Sequence, residues 1–195
     1  DVERSRGLGD VYKRQIKDFS AVDQTVVIEA GVVTETLQEF AHSKNLFYPV
    51  DFAATGSSQM GGNISTNAGG IKVVRYGLTR DWIAGLKVVT GTGEVLELNN
   101  GLVKNATGYD LRHLFIGAEG TLGFITEATI RLAPAPPPMK VLVMAVSGLD
   151  SVMKIFAHFK TKTSLVAFEM FSDKALAKVL ELSLIHISEP TRPLY

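Results

Sequence analysis

The chain has 195 residues, with 20 basic and 20 acidic side chains and a formal net charge of zero. A neutral chain lacks the basic surface that nucleic-acid binding requires, and the absence of cysteine excludes disulfides, thiolate metal sites and cysteine nucleophiles. Apolar residues make up 46% of the chain, which is ample for a buried core, but the apolar runs are too short for a transmembrane segment.

The two ends differ in pattern from the middle. Residues 1–15 show no helical or strand periodicity, and residues 183–195 break the helical pattern before them. The strings DVYKRQ and SLIHISEPTR resemble translated sequencing-adapter segments. We therefore predict that both ends are non-native and that residues 16–182 are a piece of a longer protein.

The first half predicts a strand, a helix and a loop. The β-branched run 25–30 predicts a short buried strand. Apolar residues then recur at helical spacing, with Thr34 as the expected N-cap and Asn45 as the expected stop. A loop-rich stretch follows over residues 49–70.

The second half predicts a hairpin and a further strand. Residues 83–90 and 94–98 form two expected strands around a Gly-Thr-Gly turn, followed by a short helix within 109–115. Residues 124–132 alternate, which places one set of side chains on a common face: Phe124, Thr126, Ala128, Ile130 and Leu132.

A run of prolines over residues 133–138 predicts a stiff connector and a domain boundary. Beyond it, residues 141–146 and 165–170 predict strands. Two helices are expected from the apolar faces containing Val152, Ile155, Phe156 and Phe159, and Ala175, Leu176, Val179 and Leu180.

Fourteen of the 18 glycines lie between Gly56 and Gly123, in two main clusters. We name residues 56–70 the first glycine segment and residues 117–123 the second glycine segment. Glycine lets backbone N–H groups approach a phosphate closely, although either segment alone is better explained by tight turns. Neither the G-x-G-x-x-G fingerprint nor the P-loop pattern occurs, which disfavours nicotinamide Rossmann enzymes and P-loop NTPases.

Four motifs in order carry a family resemblance: MGGNISTNAGG (60–70), RYG (75–77), GYDL (108–111) and LFIGAEGTLGFITEATIRLAP (114–134). They resemble the FAD-binding domain of the vanillyl-alcohol oxidase/p-cresol methylhydroxylase (PCMH) superfamily. Within it, the chain is most similar to the FAD-linked D-lactate dehydrogenase, glycolate oxidase and D-2-hydroxyglutarate dehydrogenase group.

The resemblance implies an α+β fold. Residues 16–136 would form a PCMH-type FAD-binding domain of two α/β subdomains, truncated at its N-terminus. Residues 139–182 would begin an α+β FAD-linked oxidase C-terminal domain, the cap. The implied function is FAD-dependent oxidation of a D-2-hydroxy acid by hydride transfer to flavin N5.

The resemblance also assigns cofactor-binding residues. Those implied for the diphosphate and ribityl portion are Gly56, Ser57, Met60, Gly61, Gly62 and Asn63, with Met60 standing where isoleucine is usual. Those implied toward the isoalloxazine are Thr66, Asn67 and Gly70. Those implied for the adenosine half are Glu119, Gly120, Gly123 and the backbone of Ile125. Phe52 replaces a proline of the family pattern, which leaves a role for Asp51 doubtful.

Further expectations come from the same resemblance. The partners would be a small 2-hydroxy acid and an electron acceptor, namely a quinone, a cytochrome or an electron-transfer flavoprotein, in a cytoplasmic or membrane-peripheral protein. No metal site is expected within the chain, and the catalytic base would lie beyond residue 182, so the chain alone should be inactive and hold FAD poorly. The alternatives are a related flavoenzyme acting on an aldonolactone or alkyl-glycerone phosphate, and a flavin-less subunit.

Overall fold

The computed structural model describes residues 14–102 and 104–182, so the predicted non-native ends lie almost entirely outside the described residues. The chain divides into two compact units. Of the described residues, the first comprises 14–102, 104–145 and 164–167, and the second comprises 146–163 and 168–182. Each unit is described by itself.

The first unit is built on a five-stranded antiparallel sheet with the strand order β1-β2-β6-β4-β5. Its strands are β1 (Ile16–Ser20), β2 (Thr25–Glu29), β4 (Ile83–Thr90), β5 (Val95–Leu98) and β6 (Gly123–Arg131). A second sheet pairs β3 (Leu46–Phe47) with β7 (Ala133–Pro134). The first two residues of the predicted proline connector, which include its first proline, are therefore part of a strand, and the connector begins after them.

Short helices connect these strands. They are α1 (Thr34–Ser43), α2 (Met60–Ser65), α3 (Val73–Tyr76) and α4 (Arg112–Phe115), together with a 3-10 turn over Thr79–Trp82. In the second unit, α5 (Leu149–Lys162) and α6 (Asp173–Leu182) confirm the two predicted helices. Among the residues described, no helix is long and apolar enough to cross a membrane.

The core of the first unit lies between the sheet and its two central helices. Val26 and Ile28 alternate along β2 with their side chains fully buried. Helices α1 and α2 each bury two residues four positions apart, which places both on one helical face: Leu37 and Ala41, and Met60 and Ile64. This packing fixes α2, the first element of the candidate site, against the end of β2.

Helix α1 confirms the predicted helix but not the predicted N-cap. Val33 is the residue at the N-cap, and Thr34 is already helical and fully buried. The Thr34 hydroxyl contacts the Ser58 hydroxyl at 2.8 Å instead of an N–H of its own helix. Asn45 has a left-handed φ of 55° just beyond the helix, as expected of a stop residue.

A β-bulge corrects the predicted alternation of β6. Glu127 pairs with Lys87, but the next pair along the ladder joins Ile125 to Val88, so Thr126 is an extra residue. The bulge exchanges the two faces beyond it: Ile125 is buried, whereas Phe124 is 66% exposed. The predicted common face is therefore wrong for Phe124 and Thr126, whereas Ala128, Ile130 and Leu132 are all buried.

The two strands predicted beyond the prolines do not form. Within the described part of the chain, residues 141–146 and 165–170 take part in no strand pairing. Val141 and Val143 are 91% and 81% exposed. A β-branched run becomes a strand only where a neighbouring strand satisfies its backbone groups, and none does so here.

Candidate cofactor site

The first glycine segment is tied to the end of β2 through the start of α2. The Met60 N–H donates to the Val32 carbonyl at 2.9 Å, and the Gly61 N–H donates to the Ala30 carbonyl at 2.7 Å. A Cβ at Gly61 would lie 2.8 Å from the Cβ of Ala30. Gly61 is therefore required by close packing inside the protein.

A buried polar cluster holds α2 against α1. The Asn63 amide donates to the Thr34 hydroxyl at 2.7 Å, and that hydroxyl contacts Ser58. Asn63 is 6% exposed and Met60 is fully buried. The structure thus directs the side chains of these two predicted site residues into the interior, and their backbone N–H groups donate to the carbonyls of Val32 and Gln59.

Four predicted site residues of the first glycine segment are exposed: Gly56, Ser57, Gly62 and Thr66. Gly62 is exposed, and a Cβ added there would meet no atom within 4 Å. Gly56 and Ser57 are exposed as well, and a Cβ at Gly56 would meet only the Glu35 carboxylate, at 3.2 Å. Thr66 closes the helix by donating its hydroxyl to the Gly62 carbonyl at 3.0 Å. Packing within the protein therefore does not explain the glycine at position 62.

The end of the first glycine segment is held by close backbone contacts. Asn67 adopts a left-handed φ of 51°, and its side-chain oxygen accepts the Arg80 N–H at 3.0 Å. A Cβ at Gly70 would overlap the Asp51 carbonyl oxygen. The Asp51 carboxylate pairs with Lys72 at 2.7 Å, so it is engaged within the protein.

The second glycine segment docks directly on α2. The Gly117 N–H donates to the Ile64 carbonyl at 3.1 Å, and the Glu119 N–H donates to the Ser65 carbonyl at 2.9 Å. The structure therefore brings together two segments that are about fifty residues apart in the sequence. Gly120 has a φ of 79°, and a Cβ there would meet no atom within 4 Å.

The last two predicted residues belong to the sheet. A Cβ at Gly123 would lie 2.6 Å from the Val89 carbonyl oxygen and 3.2 Å from the Phe115 ring. Ile125 is 6% exposed and pairs with Val88 in the ladder. Strand packing explains both residues without a ligand.

These observations test whether the residues fit an FAD cofactor. The two glycine segments are joined by hydrogen bonds, and each presents one α-carbon, Gly62 or Gly120, to open space. A long cofactor held mainly by backbone N–H groups needs such close approach along two joined segments. The arrangement fits FAD. Within residues 14–102 and 104–182, no group of histidine and acidic side chains could hold a metal ion.

The residues missed by sequence reasoning are those that connect the segments. Arg80 donates from Nη2 to the Ile116 carbonyl at 3.0 Å, and Thr79 donates its hydroxyl to the Ala68 carbonyl at 2.7 Å. Arg112 is buried and donates to the carbonyls of Ile83 and Ala84, each at 2.7 Å. No local motif marks these roles, because each partner lies at least 11 residues away in the sequence.

Asp110, an ionisable residue with a shifted pKa, lies next to Arg112. The guanidinium of Arg112 hydrogen-bonds to the Asp110 carboxylate, and its charge lowers the pKa of Asp110, an effect that partial burial opposes. His113 adds a weaker contact, with its Nε2 3.5 Å from Asp110 Oδ2. Asp110 is thus held as a carboxylate by the residues that lead into the second glycine segment.

Comparisons with known proteins show which proteins this chain is similar to. Residues 9–99 match the family model described as FAD binding domain. The D-2-hydroxyglutarate dehydrogenase of Stutzerimonas stutzeri is 62% identical over 87% of this chain and 36% of its own length. The glycolate oxidase subunit GlcD of Bacillus subtilis is 34% identical over 92% of this chain and 35% of its own length.

A solved structure of alkyldihydroxyacetonephosphate synthase matches with a TM-score of 0.57 and 28% identity, over 65% of this chain and 22% of that one. The chain spans about a third of the length of the curated relatives it matches. The predicted cofactor and the predicted PCMH-type fold of the FAD-binding domain are confirmed. Over residues 9–99 the chain matches an FAD-binding domain, its fold is similar to the PCMH type, and its cofactor is FAD.

Proposed function

We propose that this chain is the FAD-binding part of a dehydrogenase that oxidises a D-2-hydroxy acid, with D-2-hydroxyglutarate as the first candidate substrate. The observation that carries the proposal is the joining of the two glycine segments by the Gly117 and Glu119 N–H groups on the last turn of α2. The joined segments form one continuous backbone surface, as an elongated dinucleotide requires.

The protein's own residues have distinct roles in this proposal. Gly62 and Gly120 leave room for the cofactor to contact the backbone, and Ser57 is an exposed polar residue of the first glycine segment. The buried Thr34 and Asn63 keep α2 in place. When bound, the flavin supplies the two-electron acceptor for the hydrogen removed from the hydroxyl-bearing carbon.

Sequence identity favours a hydroxy acid over the alternative substrates. The relatives at 62% and 58% identity are both named D-2-hydroxyglutarate dehydrogenase. The match to alkyldihydroxyacetonephosphate synthase has 28% identity and supports the shared fold. A flavin-less subunit is disfavoured because Gly62 keeps an open α-carbon that neither internal packing nor a left-handed φ demands.

The remaining assignments are part of the same proposal. Residues 16–136 form the FAD-binding domain, residues 139–182 begin the cap domain, and residues 1–15 and 183–195 are non-native. The electrons pass to a quinone, a cytochrome or an electron-transfer flavoprotein. The whole protein acts in the cytoplasm or at a membrane surface.

A segment exchange tests the function. The matching part of the Stutzerimonas stutzeri dehydrogenase, 36% of that protein, would be replaced by residues 16–182 of this chain. We expect a yellow hybrid that retains stoichiometric FAD and reduces a dye when given D-2-hydroxyglutarate, but not when given the L-isomer. A folded, colourless hybrid would contradict the proposal. A yellow hybrid that is inactive with every D-2-hydroxy acid would refute the substrate class while leaving FAD binding intact.

A further inference from the structure

We propose that Arg80 is a positioning residue that holds the two glycine segments together, an inference that rests on the function proposed above. Arg80 belongs to neither segment, since it lies in the 3-10 turn Thr79–Trp82. It nevertheless reaches the first glycine segment and Ile116, the residue just before the second. Its backbone N–H donates to the Asn67 side-chain oxygen at 3.0 Å, and its Nη2 donates to the Ile116 carbonyl at 3.0 Å.

The second glycine segment needs such a restraint because one of its residues, Glu119, is in an unfavourable backbone conformation. Gly117 and Gly120 have φ values of 86° and 79°, and Glu119 between them has a φ of 51°. A left-handed φ costs conformational energy at a residue with a side chain. The two N–H bonds to the carbonyls of α2 persist only if the chain entering the segment is fixed. Ile116, which Arg80 contacts, is the residue at that entry.

The planar guanidinium holds this entry at two points. Its Nη1 lies 3.3 Å from His113 Nδ1. Because a guanidinium can only donate, Nδ1 is the acceptor in this contact, and the other ring nitrogen of His113 faces Asp110. Arg80 therefore engages α4 and the residue after it with a single rigid fork. A lysine has one nitrogen and cannot reproduce both contacts.

Asn67 and the Arg80 guanidinium both lie beside Gly117. A Cβ added at Gly117 would lie 3.4 Å from the Asn67 Cβ and 3.6 Å from Arg80 Nη2, both ordinary contact distances. The first glycine segment and the guanidinium are therefore both neighbours of the start of the second glycine segment. Loss of the guanidinium would leave the second segment with its two backbone bonds to α2 as its anchor in this region.

The first experiment measures amide hydrogen exchange in the cofactor-free 195-residue chain. Arg80→Met and Arg80→Lys would be compared with Arg75→Met, a control at an exposed arginine of α3. We expect Arg80→Met to accelerate exchange at Gly117 and Glu119 by about tenfold or more, because local opening becomes easier. Arg80→Lys should restore part of the protection, and the control none of the change.

The second experiment follows FAD binding by NMR, which detects weak association. We expect FAD to shift the amide signals of Gly62 and Gly120, and Arg80→Met to weaken binding by about tenfold through the loss of a charged hydrogen bond. Three results with Arg80→Met would overturn the role of Arg80. They are unchanged exchange at Gly117 and Glu119, equal acceleration of exchange throughout the β4–β6 ladder, and faster exchange at Gly117 and Glu119 with unchanged FAD affinity. A wild-type chain whose signals FAD does not shift would contradict the proposed function, while the exchange data would still decide whether Arg80 holds the segments.

Discussion

The α-carbon of Gly70 packs directly on the backbone of Asp51. A Cβ at position 70 would overlap the Asp51 carbonyl oxygen and stand 2.7 Å from the Asp51 nitrogen. Backbone atoms at this distance cannot rotate away as a flexible side chain could. The contact joins the end of the first glycine segment to the loop before it, so this glycine serves packing inside the protein.

We therefore expect Gly70→Ala to destabilise the chain by about 3 kcal/mol or more, because the backbone itself must shift. Urea unfolding followed by circular dichroism would measure the change. Gly91→Ala is the matched control, since a Cβ there meets no atom within 4 Å, and it should stay within about 0.5 kcal/mol of wild type. Equal effects of the two substitutions would show that the Gly70–Asp51 contact is not as close as described.

Gly62→Ala should have opposite effects on stability and on cofactor binding. Gly62 lies in α2 with open space around it, so alanine should raise the free energy of unfolding by about 0.5–1 kcal/mol. The added methyl group should at the same time weaken FAD binding, because it occupies the space proposed for the cofactor. Urea unfolding of the chain and the FAD content of the hybrid dehydrogenase would test both. A stabilised variant with unchanged FAD content would move the cofactor away from Gly62.

Tyr48 carries a hydroxyl that the protein does not satisfy. The side chain is fully buried, and within the described residues the hydroxyl has no hydrogen-bond partner. Burial raises the pKa of Tyr48 well above its ordinary value, as expected of a phenol held out of water. Tyr48→Phe should therefore leave stability unchanged or raise it by up to about 1 kcal/mol.

Thr79→Val provides the contrast to that substitution. It removes the 2.7 Å hydrogen bond to the Ala68 carbonyl and should cost about 1 kcal/mol. Chemical denaturation of the two variants side by side gives both values. A clear loss of stability in Tyr48→Phe would reveal a partner for the phenol.

Acid should weaken the support of the second glycine segment through Asp110. Arg112 lowers the pKa of Asp110, so the ionised carboxylate stabilises the fold above its unfolded-state pKa. That contribution is lost as the pH falls below about 4 and through the lowered native value. The effect should be modest, because the Asp110 side chain is 42% exposed and therefore screened by solvent.

The measurement for Asp110 is the pH dependence of unfolding. Wild type should be more stable than Asp110→Asn at pH 6, and the difference should shrink as the pH falls below about 4. Asp18→Asn, at an exposed position in β1, serves as the control. A difference between wild type and Asp110→Asn that does not change with pH would exclude this ionisation as the cause.

Local patterns predicted the local elements well. Residues 83–90 form β4 as expected, because a β-branched run bounded by a Gly-Thr-Gly turn is informative without knowledge of its partners. The spacing of Leu37 and Ala41 likewise predicted α1. The glycine segments could be found as unusual composition, and the family resemblance then assigned them to FAD.

The contacts that assemble the site could not be predicted from local patterns. Thr34 and Asn63 are 29 residues apart, and Arg80 and Ile116 are 36 apart, so no local periodicity links them. Composition also cannot separate Gly70, which packing requires, from Gly62, which packing does not require. That distinction depends on the atoms that surround each α-carbon in the folded chain.

The extra residue at Thr126 makes chain length a determinant of the site. Simple alternation from Ala128 would turn Phe124 inward and Ile125 outward, and the extra residue at Thr126 reverses both. A deletion between Gly120 and Ile125 would instead pull the second glycine segment one residue closer to the sheet and out of register with the carbonyls of α2. The spacing between this segment and the buried part of β6 is therefore set by residue count, so conservative substitutions should be tolerated there far better than insertions or deletions.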